Sequence, residues 1–269
     1  MELHAEIKEA FMALETTTPL VHHITNYVTV NDCANVVLAI GASPVMADEI
    51  SEVEEMVSLA HALVLNIGTA NERIIASMLK AGSVANAKKI PIVLDPVGVG
   101  ATTFRTKSAR MLLDKIAFSV IRGNMAEIKT LAGLEAKSSG VDSLEDESDG
   151  VRIAQGLAKK FNCVIAITGK EDVICNATHC YTLHNGHESL KKVTGTGCMS
   201  SALIGAFLGG THKPLISAIL GVLSISIAGE MAEKTKGMGT FHTSLIDVIS
   251  TLNASVLIEK SHIHAQGQG

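Results

Sequence analysis

The segment Val193-Thr194-Gly195-Thr196-Gly197-Cys198-Met199-Ser200 leads into an apolar run that reads as a helix. Glycines at a helix start let backbone N–H groups approach an anion, and the helix dipole favours negative charge there. Cys198, one step inside that start, sits where a thiolate is stabilised. The plain structural reading is a turn and cap, with Cys198 a small buried hydrophobe, as free cysteines usually are. No GxxxxGK[ST] loop occurs in the chain, and Gly98-Val99-Gly100 lacks the third glycine of the dinucleotide fingerprint.

A second group of residues suits phosphate and metal chemistry. Arg122, in Arg122-Gly123-Asn124, offers a planar fork for phosphate oxygens. Asn124-Met125-Ala126-Glu127 has the spacing of a helix capping box, which the local pattern favours. The same Glu127, beside Asp95, could instead hold Mg²⁺ through water, the way that ion is usually bound. For a small apolar heterocycle, Met46, Val28 and Pro44 could form a wall, although any single Met is more often core. His22-His23 and His262-Ile263-His264 lack metal-site partners at recognised spacings, and the latter pair is expected in a frayed tail. Cys175, His179, Cys180 and His184 match no zinc pattern and read as structural.

These residues need a scaffold that brings loop ends together. Short apolar runs alternate with helical patterns: strands at Pro19 to Ile24, Ala42 to Met46, Ala62 to Ile67, Ile90 to Asp95, Phe118 to Arg122 and Cys163 to Thr168. Helices are expected at Val30 to Ile40, Ser51 to Ala60, Glu72 to Ala87, after Asn124, and at Val151 to Lys160. Two short strands, Asp172 to Asn176 and Cys180 to His184, flank a turn. From Gly197 onward the pattern reads as three helices with breaks near Gly209-Gly210 and Lys236 to Gly239. Strands this apolar, separated by helices, point to a mostly parallel sheet buried on both faces. Ligands gather outside the carboxyl ends of such strands. Thr25-Asn26, Asn66 to Thr69, Asp95 to Gly100, Arg122 to Asn124 and Thr168 to Lys170 all fall at that edge. The acidic stretch 140–150 reads as a surface loop, and no boundary splits residues 1–269, so one domain is expected.

Composition narrows the classes. The chain has 269 residues, 22 Lys+Arg against 27 Asp+Glu, and 47% hydrophobic residues, enough for a sizeable core. A net charge of −5 and 3% aromatics without Trp argue against a nucleic-acid partner. Mean hydropathy is +0.32, yet the apolar uncharged run Pro214 to Gly229 falls short of the ~20 apolar residues of a span and reads as a core helix. The start Met1-Glu2-Leu3-His4 lacks the features of a signal peptide, and five scattered cysteines suggest no disulfide framework. A cytoplasmic protein without a membrane partner is the expectation.

Taken together, the GTGC segment, Arg122-Gly123-Asn124-x-x-Glu127 and Asp95-Pro96-Val97-Gly98 resemble the ribokinase-like superfamily. Val21-His22-His23-Ile24-Thr25-Asn26-Tyr27-Val28 and Gly41-Ala42-Ser43-Pro44-Val45-Met46 are similar, more narrowly, to the hydroxyethylthiazole kinases. The likeness runs from Pro19 to the last helix. It implies a three-layer α/β/α fold with a mostly parallel central sheet and no separate lid domain. It also implies ATP-dependent phosphorylation of 4-methyl-5-(2-hydroxyethyl)thiazole in thiamine biosynthesis or salvage, with Mg²⁺ as cofactor. The resemblance implies a homotrimer with active sites between subunits. By position in the motifs, Asn26, Met46 and Gly195 would contact the thiazole, and Arg122, Thr168 and Gly197 the ATP. Asp95 and Glu127 would lie at the metal. The superfamily's glycine loop usually ends in an Asp that takes the hydroxyl proton; Cys198 stands there, as in the thiazole kinases, so the catalytic place is Cys198 and the base stays open. Other readings are a hydroxymethylpyrimidine or pyridoxal kinase, a nucleotide-dependent dehydratase on the same fold, or a non-catalytic nucleotide-binding subunit.

Overall fold

A computed structural model describes residues 2–134 and 147–266. Six strands, β2 (Ser43–Met46), β1 (Leu20–Ile24), β3 (Ala62–Asn66), β4 (Ile92–Asp95), β5 (Val120–Asn124) and β6 (Val164–Thr168), lie parallel in that spatial order. Three antiparallel strands extend the sheet beyond β6: β7 (Asp172–Cys175), β8 (Cys180–Leu183) and β9 (Ile263–Gln266). Along β3, Ala62 and Val64 enter one core while Leu63 and Leu65 enter the other, and β6 repeats the alternation with Val164 and Ala166 against Ile165 and Ile167. Both faces are apolar because both are covered, as parallel sheets require.

One face carries α1 (Glu2–Thr17), α2 (Val30–Ala39), α8 (Thr196–Thr211), α9 (Pro214–Met231), α10 (Met238–Thr251) and α11 (Ala254–Lys260). The other carries α3 (Val53–Leu59), α4 (Glu72–Ala87), α5 (Thr103–Lys115), α6 (Met125–Leu131) and α7 (Glu147–Phe161). The three expected layers are present. α8 and α9 are apolar on nearly all sides, and each is buried along most of its length, the pattern of central helices. α9 is long and apolar enough to cross a membrane by length and composition, but it packs against α8 and the sheet, as the core-helix reading expects. α1 docks on α8 where Phe11 meets Phe207 edge-on at 5.3 Å, a geometry worth about 1 kcal/mol beyond area burial.

Several elements differ from the sequence reading. The region after Gly197 forms four helices rather than three, because Leu252 and Asn253 break α10 from α11 and Asn253 caps the second. His262 to His264 is no frayed tail: Ile263 to Gln266 pair with β8 along their length. Cys175 and Cys180 face each other across the β7–β8 hairpin and form a disulfide, leaving Cys33, Cys163 and Cys198 free. The register of the hairpin creates that pair, and sequence spacing alone does not. The stretch 140–150 falls mostly outside the described residues, and its last four residues begin α7.

Parallel pairing sets the site. Asn66 and Asp95, the last residues of β3 and β4, are register partners, and so are Asn124 and Thr168 at the ends of β5 and β6. Four polar side chains are thereby delivered to one edge of the sheet.

Candidate active site

The glycine loop is held in a form that only glycine suits. Gly195, the N-cap of α8, has φ of 88°, and a Cβ there would meet Thr29 Cγ2 at 2.6 Å. A Cβ on Gly197 would meet Arg122 Nη1 at 2.6 Å, so the guanidinium lies directly on the first turn of α8. The first N–H groups of that helix have no intrahelical acceptor. Arg122 donates to Thr168 Oγ1 at 2.5 Å and has Nη1 3.8 Å from Asp95 Oδ1. Its Nε is buried without a partner among the described residues. Arg122, Thr168 and Gly197 line one cavity of about 560 Å³, together with Lys191, Asp172 and Ser226.

Asp95 is fully buried. Its Oδ2 accepts from Asn66 Nδ2 and Ser201 Oγ, each at 2.8 Å, and its Oδ1 has no hydrogen bond. Burial pushes its carboxyl up to about 6, with Arg122 opposing the rise and Glu127 adding to it. Asp172, at the wall of the large cavity, is raised to about 6 mainly by burial, and its Oδ1 accepts from the Gly169 N–H at 2.9 Å.

Cys198 Sγ accepts from Asn26 Nδ2 at 3.3 Å and from Asn66 Nδ2 at 3.2 Å. Burial first, and then the neighbouring Asp95 carboxylate, raise this thiol; hydrogen bonds from Thr29, Asn26 and Asn66 act against that rise. The expectation of a stabilised thiolate is therefore corrected. The helix start does not outweigh desolvation and a carboxylate next door.

Glu127 completes the capping box: Asn124 Oδ1 accepts from the Glu127 N–H at 2.9 Å, and Glu127 Oε2 from the Asn124 N–H at 2.8 Å. Its Oε1 accepts from the Gly98 N–H at 2.8 Å, which fastens the Asp95 to Gly100 loop to α6. Among the described residues no group of three His, Cys, Asp or Glu side chains could hold a metal.

Met46 lies elsewhere. It lines a second cavity of about 280 Å³ at the ends of β1 and β2, with His23, Thr25, Asn71 and Arg73. Burial pushes His23 down to about 3, so its ring is neutral there. The expected wall of Met46, Val28 and Pro44 does not close within one chain. Val28 is 55% exposed and Tyr27 78% exposed, because both sit in the turn leaving β1, next to the edge strand β2. From sequence Asn66 was only the start of an edge loop, and Ser201 was not singled out. The signals were present: Asn66 ends a strand beside Asp95, and Ser201 follows Cys198 by one helical turn, on the same face.

This sheet order, with the glycine loop and Arg122 against it at the carboxyl edge, defines a ribokinase-like kinase fold. In line with it, Staphylococcus aureus pyridoxal kinase with AMP-PCP and pyridoxal superposes with a TM-score of 0.61 over 81% of this chain and 90% of that one; at 16% identity the likeness is one of fold. The chain belongs to the hydroxyethylthiazole kinase family, which it matches over residues 11–255. It is 49% identical to the hydroxyethylthiazole kinase of Clostridium tetani, covering 98% of this chain and 99% of that one. The Methanocella arvoryzae enzyme of the same name is 50% identical over 88% of this chain and 89% of its own. The solved hydroxyethylthiazole kinase structure from Pyrococcus horikoshii OT3 is 40% identical, with a TM-score of 0.90 over 98% of this chain and 100% of that one.

Proposed function

We propose a division of labour among these residues for the reaction of the family. The chain phosphorylates the hydroxyl group of 4-methyl-5-(2-hydroxyethyl)thiazole, with ATP as phosphoryl donor. The observation that carries the assignment of roles is the partly buried Arg122 guanidinium, lying on Gly197 and beside Asp95 with its buried Nε unpartnered. Phosphoryl transfer asks a protein for alignment and charge stabilisation more than for covalent steps. Arg122 and the N–H groups opening α8 meet the charge on the transferring group, and Thr168 orients the arginine. Gly195 and Gly197 leave room for that approach, with Gly195 on the side of the alcohol and Gly197 on the side of ATP. Asn26 holds Cys198, and Met46 offers the apolar contact for the thiazole.

Cys198 assists the departure of the hydroxyl proton without being indispensable. In a largely dissociative transition state the alcohol need not ionise early, and a thiol raised by burial is a modest acceptor in any case.

The donor set fits Mg²⁺. Asp95 Oδ1 is a buried oxygen with no hydrogen bond, and each Glu127 oxygen keeps a lone pair beyond its one N–H contact. Mg²⁺ keeps several waters and takes one or two carboxylates plus phosphates, so a three-residue cage is not needed. Asp95 and Glu127 would hold it, and when bound it supplies neutralising charge to the phosphates. For Glu127→Gln we expect a higher Mg²⁺ requirement for turnover and about 1 kcal/mol of lost stability from the weakened cap. A Mg²⁺ titration of initial rates checks this: an unchanged requirement with the same stability loss reduces Glu127 to a cap.

The exposed Tyr27 and Val28 beside Met46 support a homotrimer in which a neighbouring copy covers the thiazole. Dependence on ATP favours a cytoplasmic location. Turnover of the thiazole alcohol with ATP, run beside hydroxymethylpyrimidine and pyridoxal, tests the substrate. Phosphorylation of the pyrimidine with the thiazole untouched would overturn it.

A further inference from the structure

Asp95 and Cys198, assigned above to Mg²⁺ and to the hydroxyl proton, come from different elements, the end of β4 and the first turn of α8. Ser201, one turn on from Cys198 in α8, ties that helix to Asp95 Oδ2 but does not touch the sulfur. A single side chain reaches both. Asn66 Nδ2 donates to Asp95 Oδ2 at 2.8 Å and to Cys198 Sγ at 3.2 Å. On its other side, Asn66 Oδ1 accepts from Asn26 Nδ2 at 3.1 Å and from the Gly68 N–H at 2.9 Å. An amide has two donor hydrogens and two acceptor lone pairs, and here all four are engaged.

Full engagement fixes the amide's sense. Rotated by half a turn, Asn66 would set its oxygen against the Asp95 carboxylate and its NH₂ against the Gly68 N–H, two repulsive contacts in place of two bonds. The side chain is 2% exposed, so water could not relieve either one. The carboxylate is fixed in turn. Asn66 and Ser201 both bind Oδ2, and Oδ1 is left as the oxygen without a hydrogen bond. Asn26 acts in parallel on the sulfur, and its own Oδ1 is anchored by the Thr29 N–H and hydroxyl, each at 3.1 Å.

We propose that Asn66 is the positioning residue where the metal side and the alcohol side of the site adjoin: its amide holds the Asp95 carboxylate and the Cys198 sulfur in one fixed arrangement and leaves Asp95 Oδ1 open. It acts through those two groups and touches neither cavity's ligand itself. The proposal rests on the roles assigned above to Asp95 and Cys198.

The nucleotide cavity is not lined by Asn66. A positioning role therefore separates the kinetic constants. Asn66→Ala removes all four bonds, and Asn66→Asp keeps the shape but sets an oxygen against Asp95. For both we expect kcat for the thiazole alcohol to fall about 100-fold, the loss that a misplacement of about 1 Å produces. KM for ATP should move less than about threefold, since uniform binding of the nucleotide is untouched. A cycle with Cys198→Ala gives the second readout. Because part of the effect runs through the sulfur, Asn66→Ala should cost clearly less, about 10-fold, when Cys198 is already gone. A kcat within threefold of the parent, a parallel rise in KM for ATP, or an identical loss in both backgrounds overturns the proposal.

Should the Asn66 variants fail to fold, Ser201→Ala decides. It removes the second donor to the same oxygen, and about a 10-fold loss of kcat at constant KM for ATP is expected, while an unchanged kcat overturns the idea. The parent's own turnover of the thiazole alcohol, measured in the same assay, tests the substrate reading separately.

Discussion

The two ends of the site are built by opposite means. Around Arg122, the groups come from different strands, helices and loops of one chain, are buried or partly buried, and each is tied to a neighbour: Thr168 to Arg122, Asn66 and Ser201 to Asp95, Glu127 to Gly98. Around Met46, the cavity lies beside an edge strand, and the apolar residues next to it, Tyr27 and Val28, are exposed. Charge stabilisation depends on dipoles fixed in advance, because an electrostatic interaction loses value when its partners must reorganise. An apolar contact is non-directional and scales with area, so a second copy of the chain can supply it as well as the first. On the proposed assignment, the phosphoryl end would be complete in one chain and the heterocycle end would need cover from a second.

Arg122→Ala strikes the preformed end and should have the largest effect. We expect kcat/KM to fall about 10³-fold, in the range for removal of a group aimed at transition-state charge, with the oligomer unchanged; steady-state rates and light scattering check both parts. Val28→Glu strikes the open end. A charge in a covered apolar contact should dissociate the oligomer and lower thiazole turnover about 100-fold, while ATP binding by calorimetry stays near the parent's. A monomeric parent with full activity removes the distinction between the two ends.

Cys198 follows Gly197 at the start of α8 and accepts from Asn26, just beyond β1. General-base assistance is typically ~10²–10⁴-fold, and Cys198→Ala should fall at or below the low end of that range, because the thiol is raised rather than ionised. Cys198→Asp should retain activity or exceed the parent's. Rates for the three proteins decide the matter, and a dead Cys198→Asp beside an active Cys198→Ala would show that no proton is accepted there.

The smallest effect concerns stability. The Asp172 carboxyl is raised to about 6 by burial, so between pH 4 and 6 the folded chain keeps a proton that the unfolded chain releases. Its contribution is greatest at low pH and is lost as pH rises through 6. Asp172→Asn keeps an acceptor for the Gly169 N–H without the charge. Relative to the parent it should gain on the order of 2 kcal/mol between pH 4 and 8, read from urea unfolding at several pH values. An equal difference at all pH values would show that Asp172 is not held protonated in the fold.

Much of this architecture was readable in the chain. The sixteen residues Glu72–Ala87 form the helix expected there, since Asn71 caps its start and its apolar residues recur on one face. The capping box at Asn124 and Glu127 was legible because it is a local device. α1 was not among the expected helices, although its signal was in the chain: Ile7, Ala10, Phe11 and Leu14 follow the i, i+3, i+4, i+7 stripe and are all buried. α5 is a harder case, because few of its thirteen residues are apolar and only Ser108, Ala109 and Leu112 are buried. β9 is harder still, since only one of its four residues is even half-buried, and β8 gives it its pairing.

Residue type and local spacing determined the layered α/β class, the positions of most strands, the glycine loop at a helix start and the set of groups able to meet a phosphate. Those properties depend on neighbours a few positions apart in the chain. Tertiary structure alone decided that Asn66 lies beside Asp95 and Cys198, that Glu127 clasps the loop after β4, and that Cys198 is held as a thiol. These depend on burial or on hydrogen bonds between residues up to 172 positions apart, and both are set by strand order and helix packing rather than by spacing along the chain.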